Sequence, residues 1–261
     1  MPELPDLEVF RTNIFYRLES KRLIGIKVFN PKKVYAKEEA LIDDLAGRDL
    51  QSIGRVGKEL FFDFGAQRII AAHLMLNGEI SIVAEDAVNE IKFKIFIMCF
   101  ERDTVVFSDK GRLCTIRYMP AVSKIPDAFD DTFTLEYFLN TAREKPRTNV
   151  KAFLIDQNVV KGIGNAYADE ILWTAHISPR SLLGKIPDDK LKNLYNAIST
   201  VLHDAIASIR SISPNIISGE ERSFLKVHNK TIKETKTGYP IFIEKIASRI
   251  TYYTEEQIEY N

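Results

Sequence analysis

Between residues 23 and 119 the chain contains only short apolar runs, and their spacing is that of strands. Segments 24–29, 60–64, 69–74, 80–83, 91–100, 105–107 and 114–118 are rich in Ile, Val and Phe and are separated by turns. This pattern predicts a β-sandwich or barrel. Ahead of it, Leu7, Phe10, Ile14 and Leu18 recur at helical spacing. Residues 4–18 therefore read as a helix, with Pro5 in the first turn, where a missing N–H costs nothing. Segment 120–131 is rich in Pro and Asp and reads as a linker.

The second half changes period. Segments 133–143, 150–156, 165–175 and 188–210 read as helices, the last with Leu191, Leu194, Ile198, Val201, Leu202, Ala205 and Ile209 on one face. After Ser211 the chain turns polar and basic and ends in a predicted β-hairpin formed by 231–236 and 241–253. The fold class is α+β and multidomain. No run approaches the roughly 18 uninterrupted apolar residues of a membrane span. No positively charged leader precedes the first helix, so a cytoplasmic, non-secreted protein is expected. Cys99 and Cys114 lie in strand-like runs and read as buried thiols. Two cysteines and four scattered histidines do not make a Cys-rich zinc site.

Formal net charge is zero, which does not favour a nucleic-acid binder. The charge is polarised, however. Arg222, Lys226, Lys230, Lys233, Lys236, Lys245 and Arg249 face only Glu234 and Glu244 in the same stretch. A solvated basic face and a polyanion-binding face both produce such a run. Two other places carry chemistry. Removal of Met1, which the small Pro2 side chain favours, would give Pro2 a free secondary amine next to the Glu3 carboxylate, a nucleophile beside an acid. The run from Asp156 to Glu170 places Gly162-Ile163-Gly164 before Asn165 at the start of a helix. Asn is a favoured N-cap, and a helix N-terminus attracts anions, with Lys161 adding a charge. An ordinary turn between two helices fits the same residues.

Pro2-Glu3-Leu4-Pro5, Gly57-Lys58, His73-Leu74 with Gly78, Asp109 with Arg112, and the run from Gly162 to Glu170 stand in the order found in the formamidopyrimidine-DNA glycosylase/endonuclease VIII family. Pro179-Arg180 follows as it does there, and the opening motif resembles the formamidopyrimidine branch. The resemblance implies an N-terminal helix on a β-sandwich (1–130), a helix–two-turn–helix domain (131–221) and a C-terminal hairpin finger (222–261). It also implies a DNA base-excision glycosylase with lyase activity. The Pro2 amine would attack C1′ of a flipped-out nucleotide, and β,δ-elimination would follow. Glu3 would act as acid and base, and Lys58 would approach the lesion. Arg249 would grip phosphates, with His73, Leu76, Arg112, Lys161, Gly164 and Asn165 as further DNA contacts. The partner would be double-stranded DNA with damaged or abasic sites, bound by a monomer without cofactor.

Thr254 and Gln257 occupy the positions of the family's second zinc-cysteine pair, so the finger reads as zincless, with Tyr239, Phe242, Tyr252 and Tyr253 packing it. Three further departures concern base selection. Leu76, Gly111 and Leu113 stand where relatives carry Met, Arg and Phe to fill the gap left by the flipped base. The segment 217–225, which covers oxidised guanine in relatives, is short. Asp6 replaces the usual Glu. These departures raise an alternative, a non-excising protein that binds or processes abasic or branched DNA on the same scaffold.

Overall fold

The computed structural model describes residues 1–261. The chain divides into two compact units, Met1–Val122 with Ile209–Glu220, and Ser123–Ser208 with Glu221–Asn261.

The first unit begins with α1 (Leu4–Leu18), and nine strands follow: β1 (Leu23–Val28), β2 (Val34–Tyr35), β3 (Ser52–Val56), β4 (Glu59–Asp63), β5 (Ile69–His73), β6 (Gly78–Val83), β7 (Lys94–Phe100), β8 (Thr104–Asp109) and β9 (Thr115–Tyr118). They form two sheets, of order β1-β7-β8-β6 and β2-β9-β5-β4-β3. Alternation explains the layering. Along β4, Leu60 and Phe62 are buried while Glu59, Phe61 and Asp63 are only partly covered. Phe62 meets Phe107 of the other sheet edge-on, with ring centroids 5.8 Å apart. The apolar stripe of α1 (Leu7, Phe10, Ile14, Leu18) joins this core. The sandwich and its leading helix are as expected. A second helix, α2 (Glu38–Leu45), and the strands β2 and β3 were not anticipated. Two-residue β2 is too short to leave a period in sequence, and in β3 the apolar residues Ile53 and Val56 do not alternate, with only Ile53 buried.

In the second unit, α3 (Leu135–Glu144), α4 (Val150–Ile155) and α5 (Asn165–Thr174) precede the long α6 (Asp188–Ile212), which belongs to this unit as far as Ser208. Thr134 caps α3 by accepting the Tyr137 N–H, and Asn149 caps α4 by accepting the N–H groups of Lys151 and Ala152. Phe133, Phe138, Phe153 and Tyr195 form an aromatic cluster among these helices. The hairpin differs from expectation. Both of its strands, β10 (Phe242–Ile246) and β11 (Arg249–Tyr253), come from the single run 241–253. Segment 231–236 is not a strand and keeps one bridge, Glu234 to Pro240. The turn is the two residues Ala247 and Ser248, both left-handed (φ 48° and 65°). A tight hairpin demands that geometry, but it is normally marked by Asn-Gly, which is why the turn was not visible in the sequence. No helix is long and apolar enough to cross a membrane.

Candidate nucleic-acid interface and active site

Glu3 is the N-cap of α1, and the helix opens with a reciprocal capping box. The Glu3 side chain accepts the Asp6 N–H, and Asp6 Oδ2 accepts the Glu3 N–H at 2.8 Å. Pro2 is buried, and Glu3 and Asp6 are only 4% and 0% exposed. The box thus fixes Pro2 and Glu3 side by side at the N-terminus of a helix. The Met1 ammonium pairs with Glu220. One turn along, Arg55 Nε holds Glu8 at 3.1 Å. Burial pushes the Glu8 carboxyl up, but Arg11 and Arg55 outweigh it and hold it below the usual carboxylate range.

Lys58 lies in the two-residue turn between β3 and β4, after Gly57 at φ 60°. Arg55 Nη1 donates to the Gly57 carbonyl at 3.0 Å, which ties that turn to its own strand. Lys58 is 9% exposed, so it is a packed residue rather than a free hairpin lysine. His73 pairs in register with Glu59, the next residue. Its Nδ1 accepts the Met75 N–H at 2.9 Å, which leaves Nε2 to carry the proton and act as a donor. Burial, together with Lys58 and Arg117, holds the His73 imidazole below its ordinary pKa against the pull of Glu59. Glu59 in turn accepts twice from Arg117 Nη2, at 2.7 and 2.6 Å.

Two loops present the wedge candidates. The β5–β6 loop closes through Gly78 N–H to Leu74 carbonyl at 2.8 Å, so tightly that a Cβ on Gly78 would sit 2.2 Å from that oxygen. Leu76 stands at its tip, 58% exposed. After β8, the buried Asp109 carboxylate accepts the N–H groups of Gly111, Leu113 and Cys114 at 2.7, 2.7 and 2.8 Å. This holds Arg112 exposed in a left-handed conformation, φ 52°. The motif residue Asp109 was visible in the sequence, but its work as loop organiser was not.

In the second unit, Gln157 shapes the glycine loop: its Nε2 donates to the Ile155 and Ile163 carbonyls, and its Oε1 accepts the Gly162 N–H at 3.0 Å. Gly162 needs its φ of 104°. The backbone of Lys161 is pinned to Pro126 and Ala128. The helix cap differs from expectation. Gly164 is the N-cap of α5 and Asn165 the first helical residue. The Asn165 side chain turns away from the cap because its Nδ2 donates to the Ile250 carbonyl of β11 at 2.8 Å, leaving its buried Oδ1 without a hydrogen-bond partner. Arg249, exposed, directly precedes Ile250. The structure thus joins Asn165 to the Arg249 strand, and Lys58 to His73.

Two family models match this chain: the formamidopyrimidine-DNA glycosylase N-terminal domain over residues 1–116, and the formamidopyrimidine-DNA glycosylase H2TH domain over residues 125–215. The chain belongs to the formamidopyrimidine-DNA glycosylase family. A formamidopyrimidine-DNA glycosylase of Lactococcus lactis subsp. cremoris is 28% identical over 268 residues, 97% of each chain. One from Streptococcus mutans serotype c is 28% identical over 272 residues, again 97% of each. Among solved structures, a Lactococcus lactis family member bound to DNA with an abasic site superposes with a TM-score of 0.86 at 25% identity, over 98% of this chain and 100% of that one. Another, bound to DNA with an oxidised pyrimidine, gives 0.87 at 27% identity, over 99% and 100%.

Against the zinc finger that the family resemblance implies, the residues here do not fit a metal. Thr254 and Gln257 hydrogen-bond each other, Gln257 Oε1 accepting the Thr254 N–H at 2.9 Å. No group of three or more His, Cys, Asp or Glu side chains is gathered to hold an ion. Glu256 instead collects donors: Trp173 Nε1 at 2.9 Å, Thr237 Oγ1 at 2.6 Å, Thr254 Oγ1 at 3.1 Å and Thr235 Oγ1 at 3.3 Å. Of the aromatics expected to pack the hairpin, Phe242 meets Tyr253 at 5.6 Å and Tyr252 packs on His228 at 4.5 Å, whereas Tyr239 is 44% exposed. The hydrogen-bond cluster around Glu256 was not anticipated.

Proposed function

We propose that this protein is a base-excision DNA glycosylase with an associated abasic-site lyase, working through Pro2. The observation that carries this reading is the buried Pro2–Glu3 pair, set by the Asp6 capping box in a chain of this family. A terminal amine has an unperturbed pKa of about 7.7–8.0, so a neutral fraction exists near pH 7. With Met1 removed, the Pro2 nitrogen attacks C1′ of an extruded nucleotide and the bond to the base breaks. The Glu3 carboxylate takes the proton that the amine loses on attack and passes it to the sugar ring oxygen as that oxygen leaves C1′, giving an iminium. That cation acidifies the neighbouring C2′ proton, whose loss expels the 3′ phosphate. A second elimination expels the 5′ phosphate and leaves a one-nucleotide gap.

In this reading residues 1–130 carry the chemistry, and 131–221 with 222–261 grip the backbone. Lys58 and the His73 Nε2–H approach the phosphates flanking the lesion. Leu76 wedges into the stack in place of the extruded base. Arg112, Lys161, the α5 terminus at Gly164, Asn165 and Arg249 hold phosphates; the Asn165 amide has a second N–H beyond the one given to Ile250. The substrates are ring-opened purines and oxidised pyrimidines in double-stranded DNA, taken by a monomer in the cytoplasm, on the nucleoid if the cell is bacterial. A protein that only binds abasic or branched DNA has no use for a preset nucleophile and acid, so that reading is not adopted. Incubation of the Met1-processed protein with duplexes bearing one abasic site or one oxidised base tests it. Strand cleavage at the lesion, absent on undamaged duplex, is expected. Tight binding of abasic DNA without cleavage would establish the binding-only protein instead.

A further inference from the structure

Beneath β11 lies a buried ionic cluster that the excision chemistry does not use. The side chains of Lys151 on α4 and Asp169 on α5 are both 0% exposed, and Lys151 Nζ is 2.7 Å from Asp169 Oδ1 in an ion contact outside hydrogen-bond angles. Each then reaches up to the hairpin. Lys151 Nζ donates to Thr251 Oγ1 at 2.7 Å and to the Ile250 carbonyl at 3.2 Å. Asp169 Oδ2 accepts the Tyr252 N–H at 2.9 Å and lies 2.7 Å from His228 Nδ1. Three successive residues of β11 are therefore tied from below, immediately after Arg249. The Ile250 carbonyl is shared between Lys151 and Asn165, so one oxygen links the ionic cluster to the phosphate-binding candidate.

Energetics argue that orientation is the purpose. Removing two charges from water is costly, and an apolar pair of equal volume often stabilises as well or better. What an apolar pair lacks is direction. The ion pair fixes the strand at three points, and it does so in a hairpin whose two turn residues are in a conformation unfavourable for Ala and Ser.

We infer that Asp169, acting through Lys151 and the Tyr252 N–H, is a positioning residue that sets β11 so that Arg249 and Asn165 engage the same stretch of DNA backbone. The inference rests on the reading of Arg249 and Asn165 as phosphate contacts. Asp169 touches no DNA in this account, so its loss changes KM and leaves the Pro2 chemistry intact.

The test measures cleavage of an abasic-site duplex at several salt concentrations. It uses four proteins: wild type, Asp169→Leu with Lys151→Met, Arg249→Ala, and all three changes together. The paired change leaves no uncompensated buried charge, so the fold is retained, and circular dichroism checks this. The paired variant is expected to raise KM about tenfold with kcat at saturating DNA within about twofold. Arg249→Ala is expected to raise KM and to flatten the salt dependence. In the triple variant the KM increases are expected to be less than multiplicative, because a loosened strand has already lost the Arg249 contact. If Arg249→Ala raises KM but the paired variant matches wild type, or if the effects multiply fully, Asp169 does not position the grip. If Arg249→Ala leaves KM unchanged, the phosphate reading fails and the inference falls with it. If the paired variant loses kcat at saturating DNA, Asp169 acts on the chemistry and the inference is overturned.

Discussion

Asp6 Oδ2 accepts the backbone N–H of Glu3 at 2.8 Å, from a side chain that is itself fully buried. The relationship gives a purpose to the Asp6 that stands where relatives carry Glu. Asp at the third helical position can close the box onto the N-cap, and closing it fixes the backbone that carries Pro2.

Asp6→Ala should therefore cost about 1–2 kcal/mol of stability through the lost cap. It should also slow cleavage of abasic DNA about tenfold, while Asp6→Asn, which keeps the acceptor, should recover most of both. Denaturant titration and single-turnover cleavage measure the two effects. Equal damage by Ala and Asn would mean that the charge of Asp6, not its hydrogen bond, matters.

His73 gives a pH prediction. Burial, with Lys58 and Arg117 near, holds its folded pKa below the ordinary value of about 6.5. As pH falls through that value, the unfolded chain takes up a proton that the folded imidazole refuses. Stability should decline below about pH 6.5 and level off once the folded ring also protonates. His73→Asn keeps an acceptor for the Met75 N–H and should remove this part of the decline in urea titrations at pH 7.5 and 5.5. An identical decline in the variant would place the titration elsewhere.

The finger should be indifferent to chelators. EDTA is expected to leave both Tm and DNA affinity unchanged, whereas Glu256→Ala, which removes the shared acceptor of Trp173 and Thr237 at a partly exposed position, should cost about 0.5–1.5 kcal/mol. A drop in Tm on chelation would mean that a metal does the work assigned here to Glu256.

Ser248→Gly should relieve the left-handed turn and stabilise the hairpin by about 0.5–1 kcal/mol. Amide hydrogen exchange across β10 and β11 should slow. Unchanged or faster exchange would show that the tether to Lys151 and Asp169 already absorbs the turn.

What was legible in the sequence was what leaves a period or a motif. The stripe of α1 matches its observed span, and the sandwich strands and the four helices of the second unit fall within a few residues of expectation. Short segments were missed: eight-residue α2, whose stripe is only Leu41 and Leu45, two-residue β2, and five-residue β3, where only Ile53 is buried. At the site, motif order pointed to Pro2, Glu3, Lys58 and Asn165, but side-chain direction did not follow from it. Asn165 looked like a cap and is instead tied to Ile250, because Gly164 takes the cap. The residues that hold the site in place, among them Asp109, Gln157, Asp169 and Glu256, act through contacts that form only when distant segments meet. No local pattern announces such contacts.

The central claim is that the Pro2 nitrogen is the nucleophile. Borohydride reduction of the Met1-processed protein with an abasic duplex, followed by peptide mass mapping, tests it most directly. The account predicts a covalent adduct on the N-terminal peptide at Pro2, and none from protein that retains Met1. An adduct that maps to Lys58, or forms equally well with Met1 in place, would contradict it.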